Sequence, residues 1–239
     1  MRIVKLDATE STNDYLKQWS RREVLPNFTV VTAENQTKGK GQRDAVWESE
    51  AGKNLTVSVY VSETSHFQYG IFSMNIAVAV ALLDTCRVFD IPEITVKWPN
   101  DILSGSKKIA GILIENVLAS DGRFTSIIGI GLNVNQSDFG NLSSASSMAN
   151  TTGRIFDRSA VLEGLLSNLM TRLADDPQKS SWIDYRSNLF RKDLESEFEL
   201  PDGSKLRGVI RDVDHHGQLC IEIATETRAY GLKQIKLVY

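Results

Sequence analysis

Cysteine is scarce in this chain: Cys86 and Cys220 are the only two in 239 residues, far apart and without metal-ligand spacing, so the pattern predicts free thiols and no disulfide framework. His66, His215 and His216 are the only histidines, and none stands at ligand spacing from a carboxylate or cysteine, which argues against metal coordination by histidine. No apolar run is long enough to span a bilayer, and MRIVKLDATE lacks the uninterrupted apolar core of a secretion signal, so the expectation is a cytoplasmic, membrane-free protein. A surplus of positive charge is missing too. Twenty-seven basic against thirty acidic residues leave a formal charge of −3, which excludes a grip on nucleic acid by overall electrostatics but not a local basic patch. Walker and dinucleotide glycine motifs, the Gly-x-Ser-x-Gly elbow and internal repeats are all absent.

What is present is an ordinary globular composition, 41% hydrophobic and 24% charged, at a length that suits one large domain plus a small one. Ser11 or Thr12 caps a predicted helix whose buried stripe is Tyr15, Leu16 and Trp19. Strands follow at Phe28–Ala33 and Leu55–Val61, a buried helix at Ser73–Phe89, and further strands at Ile94–Trp98, Ile102–Leu103, Ile109–Val117 and Thr125–Val134. Their turns fall at Pro99-Asn100, Gly105-Ser106 and Asp121-Gly122. Asn135–Gly153, rich in Ser, Asn and Thr, reads as a mobile loop. Asp157 caps a helix reaching Leu173, a second helix is expected at Ser181–Phe190, and five short strands follow. The fold class is therefore α+β: a mixed or antiparallel sheet with flanking helices over 1–190, then a small barrel over 191–239.

Three segments carry chemistry. QTKGKGQRDAVW, Gln36 to Trp47, interleaves glycines with Lys38, Lys40 and Arg43, a pattern suited to a phosphate or carboxylate but equally to a solvated loop. KWPNDILSGSKKIAGILIE, Lys97 to Glu115, sets Lys97 and Lys108 on neighbouring strands with Asn100 and Asp101 at a strand end and Gly111 leaving room for a ligand. Alone, the Pro-Asn-Asp turn would be ordinary hairpin chemistry; beside the glycine loop it indicates an anion site. Gly129-Ile130-Gly131-Leu132-Asn133 places two glycines in an apolar strand, where either packing or the close approach of a backbone or flat ligand accounts for them.

Taken together, Ser11-Thr12-Asn13, the Gly-Lys-Gly loop, KWPND, KKIAGILIE and GIGLNVN closely resemble the signatures of the biotin protein ligases, in order and over most of the chain. The resemblance implies a catalytic domain akin to those of lipoate ligases and class II aminoacyl-tRNA synthetases, with an SH3-like barrel behind it. It implies ATP, Mg²⁺ and biotin, a biotinyl-5′-AMP intermediate, and transfer to a lysine of a biotin carboxyl carrier domain. It also implies the site. Lys108, Lys40 and Asp101 are catalytic. Ser11, Thr12, Asn13, Gln36, Gly39, Lys40, Gly41, Gln42, Lys108 and Gly111 bind biotin. Lys40, Gln42, Trp47, Lys97, Asn100, Lys108 and Asn133 bind the nucleotide, with Asn100 near phosphate or Mg²⁺. Some family members carry an N-terminal DNA-binding domain; here Ser11 opens the first motif, so no DNA role is expected, while a homodimer remains compatible. The loop departs from the family's commoner Gly-Arg-Gly-Arg-x-Gly at Lys40, Gln42 and Asp44. Two alternatives stand beside this reading: a lipoate or other acyl ligase on the same scaffold, and a non-catalytic biotin-binding module.

Overall fold

A computed structural model of the chain describes residues 1–42, 45–62, 71–118, 120, 124–174 and 180–239. Seven strands form the main sheet: β1 (Arg2–Thr9), β2 (Thr29–Gln36), β3 (Leu55–Val61), β4 (Ile94–Lys97), β5 (Asp101–Ser104), β6 (Lys107–Leu118) and β7 (Phe124–Leu132). Their order is β1-β2-β3-β7-β6-β5-β4. Only β1 and β2 run parallel; every other pair is antiparallel. Strand β1 is absent from the sequence reading, because Lys5 and Asp7 interrupt its apolar residues and, at the sheet's edge, most of it is exposed.

Leu55–Val61 is buried at every position, as befits a strand with neighbours on both sides and helices on both faces. The alternation decides which layer each residue meets. Val57, Val59, Ile128, Ile130 and Ile112 join the principal core with helix α2 (Ile71–Val88). Helix α4 (Arg158–Ala174) adds its predicted leucine stripe, Leu162, Leu165, Leu166, Leu169 and Leu173, to the same layer. On the opposite face helix α1 (Thr12–Arg22) sets Leu16 on Val31, Tyr60 and Ile127.

Ser11 is the N-cap of α1, its hydroxyl accepting from the Asp14 N–H. The expected stripe on that helix needs correction: Leu16 is fully buried, but Tyr15 is exposed and Trp19 only half-buried. Beside Leu16 the inward residues are polar, Thr12, Asn13 and Ser20, and Thr12 and Asn13 are so because the helix start covers a cavity rather than a core. The 135–153 segment is likewise no free loop. It contains α3 (Met148–Thr152), capped by Ser147, and docks on β6 through Lys108 N–H to Ser144 O (2.7 Å) and Ser146 N–H to Lys108 O (2.9 Å). Helix α5 (Ser180–Ser187) stops before Phe190; Leu189 instead bridges Val96, with Phe190 N–H donating to Val96 O.

The last strands, β8 (Glu195–Glu199), β9 (Lys205–Val213), β10 (Leu219–Ile223), β11 (Glu226–Tyr230) and β12 (Lys236–Val238), form a second, antiparallel sheet ordered β11-β10-β9-β8-β12. Its inner residues Phe198, Ile210, Val213, Leu219 and Ile221 belong to the same continuous core as α2. Among the described residues no helix is long and apolar enough to cross a membrane.

Both cysteines are free. Cys86, buried inside α2, has its thiol pushed up to about 12 by desolvation. An unfolded chain ionises that thiol near 9.0, so its contribution to stability falls as pH rises from there toward about 12. Iodoacetamide at pH 8 is expected to alkylate half-buried Cys220 slowly and Cys86 only after denaturation, read by peptide mass spectrometry.

Candidate active site

Antiparallel register aligns one set of side chains into a row across the sheet. Lys97 pairs with Asp101, Asp101 with Gly111, Gly111 with Gly131, and Gly131 with Thr56. Paired residues share a face, so this row runs from β4 to β3 on the side that α1 covers. Two adjacent glycines leave its middle bare. The Trp47 indole lies there: a Cβ on Gly131 would overlap its ring, and one on Gly111 would stand 3.3 Å from it. Of the alternatives left open for these glycines, packing or a close backbone or flat ligand, the structure shows packing: a side chain of the chain itself covers them.

Lys108 reaches the row through an irregularity. Strict alternation from Gly111 would send Lys108 to the core face. The β5–β6 register slips at Ile102/Leu103, leaving Ile109 as the extra residue and Leu103 opposite Lys108. One added residue inverts the faces beyond it. The Lys108 ammonium therefore lies 2.6 Å from Asp101 and 5.5 Å from the centre of the Trp47 ring. The turn that presents Asp101 is anchored from beneath: Pro99 O accepts from Asn75 Nδ2 at 2.8 Å and Tyr185 OH at 3.1 Å, and Trp98 Nε1 donates to Gly217 O at 2.9 Å.

A cavity of about 340 Å³ opens over this row. Its buried end is polar. Gln36 Oε1 accepts from Thr12 N–H at 2.8 Å and from the Thr12 hydroxyl at 2.9 Å, while the Ser58 hydroxyl lies 2.8 Å from Thr12 Oγ1. Its other end carries charge: Lys97, Lys108 and Lys236 line it together with Asp101, the one carboxylate among the described lining residues, and Lys40 enters the lining from beside the start of α1. A chain of net charge −3 thus concentrates positive charge at one place, which suits an anionic ligand. Lys40 is held 2.5 Å from Asp14. Burial pushes the Asp14 carboxyl up, but hydrogen bonding to Lys40 and the charge of Lys17 prevail and keep it below its ordinary range. Hydrogen bonding to Asp14 in turn raises Lys40. Lys97 lies 4.5 Å from the centre of the Tyr239 ring, and burial lowers its pKa.

Of the residues expected from the sequence, Ser11, Thr12, Asn13, Gln36, Lys40, Gly41, Gln42, Trp47, Lys97, Asn100, Asp101, Lys108 and Gly111 line this one cavity. Two do not. Gly39 lies behind the loop, its carbonyl accepting from Trp47 N–H at 3.0 Å, and a Cβ there would overlap the Trp47 carbonyl. Asn133, expected near the nucleotide, is buried at the end of β7 with its amide nitrogen 2.9 Å from Ser146 O, where it clips the docked 144–148 segment to the sheet. Asn100 lines the cavity with its backbone and amide partly committed: Nδ2 donates to Ile112 O at 2.7 Å. Arg43 and Asp44 lie outside the described residues.

Sequence reasoning missed the cavity wall supplied by Ile210, Leu219, Ile235 and Leu237, and Ser58 and Glu115, which stand behind the lining as hydrogen-bond partners of Thr12 and Asn13. Ser58 is signalled only as a polar position in an alternating strand. The wall has no local signal, because it comes from the second sheet.

Glycine-floored strands, a capped helix start, a basic glycine loop and a lysine beside a carboxylate thus meet at one cavity. Residues 6–135 match the biotin/lipoate A/B protein ligase family, and the chain belongs to that family and is a ligase. It is 30% identical over 226 residues to the biotin–[acetyl-CoA-carboxylase] ligase of Mycobacterium tuberculosis, covering 92% of this chain and 82% of the relative. The bifunctional ligase/repressor BirA of Bacillus subtilis is 32% identical over 170 residues, 67% of this chain and 52% of that protein, so the match spans about half of that relative. In three dimensions the chain resembles the Aquifex aeolicus biotin protein ligase in complex with biotin and ATP, with a TM-score of 0.82 at 23% identity, over 99% of this chain and 98% of that one.

Gln42 stands where the family's commoner loop has arginine. Glutamine hydrogen-bonds but carries no charge, so if the cavity holds the adenylate proposed below, Gln42→Arg is expected to slow its dissociation about tenfold, read by stopped-flow fluorescence; an unchanged rate rules the effect out.

Proposed function

We propose that the protein ligates biotin to a lysine of a biotin carboxyl carrier domain through biotinyl-5′-AMP. The observation that carries this reading is the polarity of the cavity: hydrogen-bonding groups at the buried end, a bare glycine floor in the middle, and lysines at the mouth. Biotin has the matching order of a ureido head, an apolar body and a carboxylate.

In the first step the carboxylate oxygen attacks the α-phosphorus of ATP, forming a C–O–P bond as the bond to the leaving pyrophosphate breaks. Two anions must approach, so fixed cations lower the barrier. Lys108 sits at the crossing of floor and mouth and neutralises charge on the carboxylate and α-phosphate. Lys40 and Gln42, with Gly39 and Gly41 behind them, close over the adenylate. Trp47 forms the nucleotide's wall, and its indole N–H, buried without a partner among the described residues, is a donor left for the ligand. Lys97 supports the phosphates, and Asn133 acts from behind by holding the 144–148 segment. Ser11, Thr12, Asn13 and Gln36 take the ureido head, and Gly111 gives the apolar body access.

In the second step the neutral amine of the carrier lysine attacks the biotinyl carbonyl, an amide forms and AMP leaves; Asp101 takes the proton from the attacking nitrogen. Mg²⁺ neutralises the triphosphate when bound. In this reading the cation would be held chiefly by the phosphates, with Asp101 or Asn100 supplying one carboxylate or amide oxygen. Residues 1–190 form the catalytic unit in this reading and 191–239 an SH3-like barrel that walls the nucleotide.

Incubation with biotin, ATP, Mg²⁺ and a carrier domain is expected to raise the carrier's mass by one biotinyl group. A carrier left unmodified by folded protein, or modified equally with lipoate, defeats the proposal.

A further inference from the structure

On the α1 face the row next to the floor is Ser58–Gly129–Leu113, followed by Tyr60–Ile127–Glu115. Asn13 lies across the first of these. Its amide rests on the bare backbone of Gly129, where a Cβ would overlap it. Its oxygen is 2.5 Å from Ser58 Oγ; its nitrogen is 2.8 Å from Glu115 Oε2 and 3.4 Å from Leu113 O. Glu115 is ion-paired with Lys17.

A carboxylate and a carbonyl only accept, so the Asn13 nitrogen must face β6 and its oxygen must face Ser58. The consequence is a shortage of protons. Three oxygen–oxygen contacts, Asn13 Oδ1 to Ser58 Oγ, Ser58 Oγ to Thr12 Oγ1 and Thr12 Oγ1 to Gln36 Oε1, are served by two hydroxyl protons. Turning Gln36 cannot help, because its oxygen is fixed by the Thr12 backbone N–H. One contact in this buried cluster therefore sets lone pair against lone pair, and Ser58, Thr12 and Asn13 are each under 5% exposed. An incoming N–H relieves it; a sulfur or hydrocarbon group does not. Were the Asn13 amide reversed, its N–H would donate to Ser58 and the shortage would vanish.

We infer that Glu115, through Asn13 and Ser58, is the positioning residue that keeps the buried end of the pocket short of one proton and so selects ligands whose head carries N–H donors. The inference rests on the proposed biotin reaction, whose ureido head brings two such donors where a lipoyl dithiolane brings none. Removing Glu115 leaves only the long 3.4 Å contact to Leu113 O to hold the Asn13 nitrogen toward β6, so the amide can turn over, give its N–H to Ser58 and weaken the selection.

The test compares wild type with Glu115→Leu and the near-isosteric Glu115→Gln in steady-state pyrophosphate exchange, with biotin and with lipoate as substrates. In Glu115→Leu the biotin KM is expected to rise about tenfold or more, with ATP KM and kcat at saturation within twofold and any lipoate reaction unchanged. Glu115→Gln, which can accept or donate, is expected to fall between, and it keeps the test available should the leucine variant not fold. A purely structural role lowers Tm and active fraction but leaves the biotin KM unmoved. Unmoved biotin KM in folded variants of an active wild type overturns this inference alone; a wild type without biotin-dependent exchange overturns the proposed function and the inference with it.

Discussion

Replacing Lys108 with alanine is expected to lower biotin-dependent ATP–pyrophosphate exchange by about 10²–10³-fold, the usual effect of removing one preorganised group from developing charge. The size follows from its place. Lys108 is the lysine whose ammonium stands both over the Trp47 ring and beside Asp101, between the apolar floor and the phosphate end. Lys40 is held at Asp14 and Lys97 at the Tyr239 ring, and among the described residues the ammonium over the Trp47 ring is that of Lys108. Stability should hardly change: the Lys108–Asp101 pair is partly solvated, 33% and 21% exposed, and such pairs contribute about 1 kcal/mol or less. A near-native Tm with collapsed kcat is the expected signature. Retention of kcat within a few-fold would remove Lys108 from the chemistry.

Gly131→Val is expected to raise the ATP KM about a hundredfold, with a stability loss of about 1–3 kcal/mol from overpacking. Position 131 is the floor under Trp47, and even a Cβ overlaps the indole. The ring must leave, and with it the wall proposed for the nucleotide. Biotin binding should suffer less, because the buried polar end is built on Gly129 and Ser58, one row away. Isothermal titration with each ligand reads the difference; equal losses for both would show general damage to the sheet instead.

These expectations depend on features that the sequence shows unevenly. Alternation in Leu55–Val61 and in Ile128-Gly129-Ile130-Gly131 identifies the central strands and shows that one face must be bare. Which side chains fill that face is not local information: Asn13 and Trp47 arrive from far upstream to cover Gly129 and Gly131. The leucine stripe of α4 is legible because it faces a core. The start of α1 misleads for the opposite reason, since its inward residues Thr12 and Asn13 face a polar cavity and Tyr15 is left outside. Lys108 could be singled out by type and setting, but strand periodicity alone assigns it to the wrong face, because the extra residue at Ile109 is visible only in the register. The 135–153 segment lacks periodicity because backbone pairing with Lys108, not side-chain burial along a regular element, holds it.

The central claim is that this cavity joins biotin to AMP, and direct detection of the product tests it. Folded protein incubated with ATP, Mg²⁺ and either biotin or lipoate, without any carrier, is quenched and resolved by mass spectrometry. The account predicts biotinyl-AMP in the biotin reaction, with little or no lipoyl-AMP in the other. No biotinyl-AMP from folded protein, or lipoyl-AMP in equal or greater yield, would contradict it.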